Sequence, residues 1–301
     1  MKRNAADVLR RGFEITVANW PLLLIRIAEH IVFFILAVAS IVAIVVPIAV
    51  SAGLGHFEID PDNPNGAAGI IAQALIDHWL LFLFVLVAIT VVLIVFVAIH
   101  SFVQAGSAEV YVWGQAPSPV ASTFTVDRFM AGGKRGWLPV FWIYNIAWLY
   151  AGVVLLVPVL PIPFIIYAIG ESMAAIVVGC GLLLVWGCFA VLVGLATALW
   201  TMKAVVIAMT RNLPARASLT EAKRLIRLEP GAHFAVAFIM LVIWFGGSAL
   251  IGMFSGVTSI GHATPFAVLT APVHLLLSLL NAIFSAGVES WFLASFISME
   301  S

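Results

Sequence analysis

Six long apolar runs with almost no charge inside them alternate with polar segments along the chain. The run IVFFILAVASIVAIVVPIAV, residues 31–50, carries no charge in twenty positions. That is the length a helix needs to cross a hydrocarbon core of about 30 Å. The apolar residues are continuous rather than alternating, so their period predicts helices and not strands. Lipid offers the backbone no hydrogen bonds, which leaves helices or closed barrels as the only spanning structures. The pattern therefore predicts an all-α polytopic membrane protein with spans at residues 21–54, 79–105, 137–158, 172–202, 232–256 and 265–296. Several exceed about 25 residues, so tilting, kinking or protruding ends are expected. Pro47 and Pro272 are the predicted kink points.

The polar segments have helical patterns of their own. In SLTEAKRLIRLEPG, Ser218 with Glu221 three residues later has the spacing of a capping box, and Pro230-Gly231 reads as a stop. At about 100° per residue, Lys223, Arg224 and Arg227 share one face, and Leu219, Ala222, Leu225, Ile226 and Leu228 fill the other. The pattern predicts a short amphipathic helix lying in the membrane interface. It is either an anchor to anionic headgroups or a docking surface for a cytoplasmic partner or a lipid. The N-terminal stretch NAADVLRRGFEITVANW looks like another copy. Val8, Leu9, Gly12, Phe13, Ile15 and Thr16 lie on one face, and Asp7–Arg11 and Arg10–Glu14 stand at i,i+4 spacing on the other. The loop SPVASTFTVDRFMAGG predicts a third helix, opened by Ser118-Pro119 and stopped at Gly132-Gly133.

Charge orients the chain. The sequence is 63% hydrophobic and 9% charged, with a formal net charge of zero, which excludes a strongly basic nucleic-acid binder. All fourteen Lys and Arg residues fall in the N-terminal segment, the second-to-third loop and the fourth-to-fifth loop with its flank. The other loops hold Glu58, Asp60, Asp62, Asp77 and Glu171. By the positive-inside rule the basic side is cytoplasmic, and six spans put both termini there. Trp20, Trp79, Trp137, Trp200 and Trp291 fall near span ends, as an aromatic belt does. The apolar stretch from Pro21 is about twice the length of a signal-peptide core, so it is read as a retained first helix. Cys180 and Cys188 share one predicted helix, cannot pair with each other and read as small packing residues.

Ala108, Ala121, Ser122 and Arg128 match Ala204, Ala217, Ser218 and Arg224 at a constant offset of 96. With the shared order of elements, this points to three repeats within one membrane domain, residues 1–105, 106–203 and 204–301. Each is a surface helix followed by a transmembrane hairpin, arranged about a pseudo-threefold axis normal to the membrane. The stretch ARASLTEAKRLIRLEPG between two apolar helices, with QAPSPVASTFTVDRF upstream, resembles an uncharacterised group of bacterial six-helix membrane proteins. That group is similar to the membrane domain fused to some glycerophosphodiester phosphodiesterases. The resemblance implies a bacterial inner-membrane location and a link to lipid or envelope metabolism. The chain has no soluble phosphodiesterase domain, and VESWFLASFISMES lacks the basic residue expected at the end of such a protein. No catalytic residue carries over.

Ionisable groups within spans are costly, about 2.5–3.5 kcal/mol each on insertion scales, and mark candidate sites. Thr270, His274, Ser278, Asn281 and Ser285 share one face of the last span, with Glu289 at its margin. This stripe is either a polar path or binding pocket, or a row of interhelical hydrogen bonds. Arg26, Glu29 and His30 cluster near the start of the first span, where Arg26 and Glu29 read as a snorkelling ion pair. Lys203 and Glu109 read as interfacial, and Asn145 as an interhelical hydrogen bonder. The loop DPDNPNG fails the calcium-binding pattern, with Pro64 and Asn65 at the fifth and sixth positions and Ile71 at the twelfth. It reads instead as a turn before a short surface helix. Ser248, Gly252 and Gly256 form a small-xxx-small run that predicts close helix packing, within one chain or in a dimer. No HExxH, CxxC, phosphate-binding loop or nucleophile elbow occurs, and the expectation is no metal and no cofactor. Two functions remain open: a non-catalytic scaffold or adaptor with a cytoplasmic docking face, and a transporter-like or lipid-handling protein. A membrane enzyme has no motif in support.

Overall fold

The computed structural model describes residues 4–45, 79–115, 122–161, 173–260 and 267–300. The expectations for Pro47, the DPDNPNG loop and its following helix, and Ser118-Pro119 fall outside them. Among the described residues there are eight α-helices and no strand. They are α1 (Ala5–Ala18), α2 (Pro21–Ser40, continued by a π turn at Ile41–Val45), α3 (Trp79–Trp113), α4 (Val126–Val159), α5 (Met173–Arg211), α6 (Ala215–Leu228), α7 (Pro230–Ile260) and α8 (Ala267–Ser298). Six contain segments long and apolar enough to cross a membrane: Pro21–Ala43, Leu83–Trp113, Val126–Pro158, Val177–Arg211, Pro230–Met253 and Leu275–Ser298. The chain is a multi-pass helical membrane protein.

The two longest helices far exceed a hydrocarbon core of about 30 Å. α3 has 35 residues and α5 has 39, so they extend about 50 and 60 Å at 1.5 Å per residue. Their excess length lies at the end that carries the Lys and Arg residues, called the charged end below. α4 differs from the expected pattern. Gly132 and Gly133 do not stop a surface helix; one continuous helix runs from Val126, capped by the Thr125 side chain accepting from the Arg128 amide at 3.2 Å. The glycines serve close approach instead. A Cβ at Gly133 would stand 2.6 Å from the Phe102 ring, and one at Gly136 would stand 2.9 Å from the Ala105 Cβ. Phe102 and Phe129 meet edge to face at 6.1 Å across the same crossing. Pro272 lies inside α8, as do Pro139 and Pro158 in α4.

The chain divides into two compact units, residues 28–100 and the remainder. The larger unit has its core toward the charged end, where Leu22, Val103, Tyr111, Leu199, Ala204, Ile207, Leu293 and Phe296 are buried. Farther along, the same helices expose Leu149, Leu184 and Leu275, each about two-thirds to three-quarters accessible. Lipid tails are as apolar as leucine, so this surface needs no protein cover.

α1 and α6 dock on the protruding ends of long helices by one device. The Trp291 indole of α8 donates to the Leu9 carbonyl of α1 at 2.8 Å, and the Trp200 indole of α5 donates to the Leu219 carbonyl of α6 at 2.8 Å. Both tryptophans therefore fasten a short helix to a long one; Trp20 and Trp79 are more than half exposed. α1 buries Val8, Leu9, Gly12, Ile15 and Thr16, while Phe13, placed on the same face by the sequence, is 52% exposed. At the end of α1, Asn19 is fully buried. Its Nδ2 donates to the Ile15 carbonyl at 2.9 Å, and its Oδ1 accepts from the Thr123 amide at 2.8 Å. This ties the α1–α2 turn to the segment that enters α4.

Candidate functional site

The chain leaves α5 at Asn212, whose φ of 58° is the left-handed conformation that ends helices. Pro214 then caps α6, one turn earlier than the sequence pattern places it. Ser218 is consequently inside the helix, not at its cap, and its hydroxyl donates back to the Leu213 carbonyl at 3.2 Å. Glu221, released from a capping box, joins the charged network. Pro230 opens α7 at a position where its missing N–H has no helical partner to lose.

α6 buries Ser218, Leu219 and Ala222 and leaves Lys223, Arg224 and Arg227 exposed. Arg224 pairs with Glu221 at 2.6 Å, Glu221 with Arg211 at 2.8 Å, Arg211 with Glu300 at 2.8 Å, and Glu300 with Lys203. Five charged groups from α5, α6 and the end of the chain thus form one network. The hydrogen bond from Arg224, reinforced by Arg211, holds the Glu221 carboxyl down to about 2. Burial pushes the Glu300 carboxyl up, but the hydrogen bonds and charges of Lys203 and Arg211 outweigh it and keep the group below its ordinary value. Lys203, expected at the interface, is buried, with a side chain only 2% exposed. A pocket of about 320 Å³ opens beside this network. Lys203, Arg211, Glu229, His233 and Glu300 form its polar wall, and Leu225 and Leu228 of α6 form its apolar one.

The described side chains of the stripe predicted on the last helix are not fully buried. Ser278 is exposed, and Asn281, Ser285 and Glu289 are half-buried. The buried face of α8 is Ala286, Ser290, Leu293, Ala294 and Ile297. The side chains of Thr270 and His274 lie outside the described ones. Glu289 lines a groove of about 420 Å³ between α4, α5, α7 and α8. Its walls are apolar, with Trp148, Leu195, Met240, Trp244 and Phe292 among them.

Other expectations change in detail. Arg26 is completely buried, so it does not snorkel. It lies within the field of the Tyr111 hydroxyl, which also faces Ser290 and Thr16. Glu29, for which the sequence offered only Arg26, has its carboxylate 2.7 Å from His100 Nδ1 in the smaller unit. Asn145 donates to the Phe141 carbonyl of its own helix at 2.8 Å, not across to a neighbour. Glu109 pairs with Arg135 and accepts from the Trp113 indole. Gly252 has nothing within 4 Å of where a Cβ would stand; Gly247, pressed against the Phe284 ring, is the close contact of α7 with α8. Cys180 and Cys188 are free and exposed rather than packed. Among the described residues no three His, Cys, Asp or Glu side chains come together as a metal site requires.

The Lys203–Glu300 pair and His233 escaped the sequence reading. Lys203 was legible as the one basic residue just beyond the fourth predicted span, but its partner is near the last residue of the chain. No periodicity connects positions so far apart.

No protein-family model, no curated protein and no solved structure matches the chain.

Proposed function

We propose that the protein is a non-catalytic scaffold of the bacterial inner membrane that presents α6 at its cytoplasmic face as a docking surface for an acidic protein partner. The observation that carries this reading is the way α6 is held. The Trp200 indole, the Arg211–Glu221 pair and the Ser218 hydroxyl fix its inner face, while Lys223, Arg224 and Arg227 are left facing out. A helix that only had to mark topology would need its charge but not a fixed orientation. A docking helix needs both, because complementary charge sets register and encounter rate.

The cytoplasmic placement of both termini rests on the one-sided distribution of Lys and Arg. α1 and α6 lie in the membrane interface in this reading, and the docking of α1 on α8, the start of α4 on α3, and α6 on α5 fits three repeats around a ring. A role beside lipid or envelope metabolism follows from the family resemblance. Transport along α8 draws less support, because its polar residues are dispersed between exposed and half-buried positions.

Native mass spectrometry of the full-length protein, extracted gently from its own membrane, tests the reading. A stoichiometric protein partner lost on Lys223→Glu with Arg227→Glu supports docking at α6. These two changes leave the Arg224–Glu221–Arg211 connection intact. A partner retained by that variant, or a wild-type protein that carries none, overturns it.

A further inference from the structure

The polar pocket and the apolar groove follow one another along α5 and α7. On α5 the pocket begins at Lys203 and the groove at Ala198, five residues on, or about 7.5 Å along the axis. On α7 the corresponding residues are His233 and Ala237, about 6 Å apart, and beside α8 the groove reaches Phe292 while the pocket begins at Met299, just past the helix end. α5 and α7 each pass from the charged wall to the apolar one in the same direction and over a similar distance. That is the profile of a membrane amphiphile with its headgroup at the charged end and its chain directed inward.

The polar wall narrows the chemistry. It holds two cations, Lys203 and Arg211, and two carboxylates, Glu229 and Glu300, so its charge is balanced. Arg211 gives one nitrogen to Glu221 and another to Glu300, which leaves guanidinium N–H groups for a phosphate. His233 is only 3% exposed. Its Nδ1 lies 2.8 Å from the Glu229 carbonyl, which can only accept, so Nδ1 carries the proton. In the neutral ring Nε2 is then an acceptor, and it finds no hydrogen-bond partner among the described residues. A buried acceptor without a donor is destabilising. A ligand with an N–H donor supplies what is missing.

We propose that the pocket and groove together bind one aminophospholipid. Its phosphate meets Arg211 and Lys203, its primary ammonium donates to His233 Nε2 and lies between Glu229 and Glu300, and one acyl chain runs along Leu195, Met240 and Trp244. The site stands independently of docking at α6.

The test uses the delipidated full-length protein in detergent, with native mass spectrometry against phosphatidylethanolamine, phosphatidylcholine and phosphatidylglycerol of identical chains. Phosphatidylcholine has the same phosphate but no N–H on its quaternary nitrogen. Phosphatidylglycerol has the phosphate and no cation. One phosphatidylethanolamine is expected to bind about tenfold more tightly than either, the value of one charge-assisted hydrogen bond. Glu229→Gln, at an exposed position, is expected to weaken phosphatidylethanolamine and phosphatidylcholine, which both carry a cation, several-fold and leave phosphatidylglycerol unchanged. Leu195→Trp, which fills the groove, is expected to weaken all three. Equal affinity for the three lipids, or a preference for phosphatidylglycerol, overturns the amine assignment. Binding unchanged by Leu195→Trp overturns the site.

Discussion

Gly12 provides a sharp test of how α1 is held. Replacing an interior helical glycine with alanine ordinarily stabilises the helix by about 0.8–1.0 kcal/mol. Here the added Cβ would stand 2.7 Å from both the Cα and the backbone nitrogen of Ser295 on α8. Backbone cannot rotate aside as a side chain can, so one helix must move. Overpacking of that kind costs about 1–3 kcal/mol. Separation would also stretch the Trp291–Leu9 bond and the Ser298–Val8 bond at 3.2 Å, each worth about 0.5–1.5 kcal/mol. With the propensity gain set against these terms, Gly12→Ala is expected to weaken docking of α1 by about 1–2 kcal/mol. Amide hydrogen exchange read by mass spectrometry reports this directly. Peptides over residues 8–16 are expected to exchange about 5–30-fold faster, the ratio that 1–2 kcal/mol represents. Peptides from α6, which has its own attachment, are expected to be unchanged. Gly231→Ala, where nothing lies within 4 Å of the new Cβ, is the matched control and should shift stability by no more than about 0.5 kcal/mol. Protection of α1 equal to or better than wild type in Gly12→Ala would mean that the close crossing does not hold the helix.

Three further outcomes follow from the same geometry. Asn19→Ala removes the acceptor for the Thr123 amide and the donor to Ile15, and a thermal melt in detergent should show a loss of about 1–3 kcal/mol for the buried groups it orphans. Glu300→Gln leaves the buried Lys203 ammonium without its charge partner, a change expected to cost about 3–5 kcal/mol, whereas Lys203→Met with Glu300→Gln should recover much of that in the same melt. Glu221 and Glu300 both have folded values below the ordinary carboxylate range, so their stabilising contribution is complete above about 4.5 and falls away at lower pH, for Glu221 towards about 2; melting temperature should decline as the medium is acidified below 4.5, and less steeply in Glu221→Gln.

The spans were legible because lipid imposes one demand that every position in a run has to meet: apolar side chains and a self-satisfied backbone. The short helices α1 and α6 were legible for a similar reason, since Val8, Leu9 and Ile15, or Leu219 and Ala222, recur at helical spacing. Where the reading failed, one residue type had two physical uses. Gly132 and Gly133 read as a stop because glycine ends helices, yet here it removes a Cβ that would meet α3. Ser218 read as a cap because Glu221 follows at the right spacing, yet Asn212 and Pro214 had already started the turn into α6. The charge network joins residues far apart in sequence, which local pattern cannot connect.

The Lys203–Glu300 pair says most about why the charged end is built as it is. A buried ion pair rarely adds stability over apolar residues of equal volume, because desolvation absorbs the Coulomb gain. Its effect is on geometry: removing either member is costly, so the partners must meet. Lys203 lies on α5 and Glu300 just past the end of α8, and Arg211 joins both to Glu221 on α6. Apolar contacts in lipid would allow these helices to slide or rotate, since sliding exchanges one greasy neighbour for another. The ionic chain permits one register. It fixes the orientation of α6 and holds the polar wall of the pocket open with the same residues. Arg211 belongs to both, so the outward basic face and the inward pocket cannot be repositioned separately.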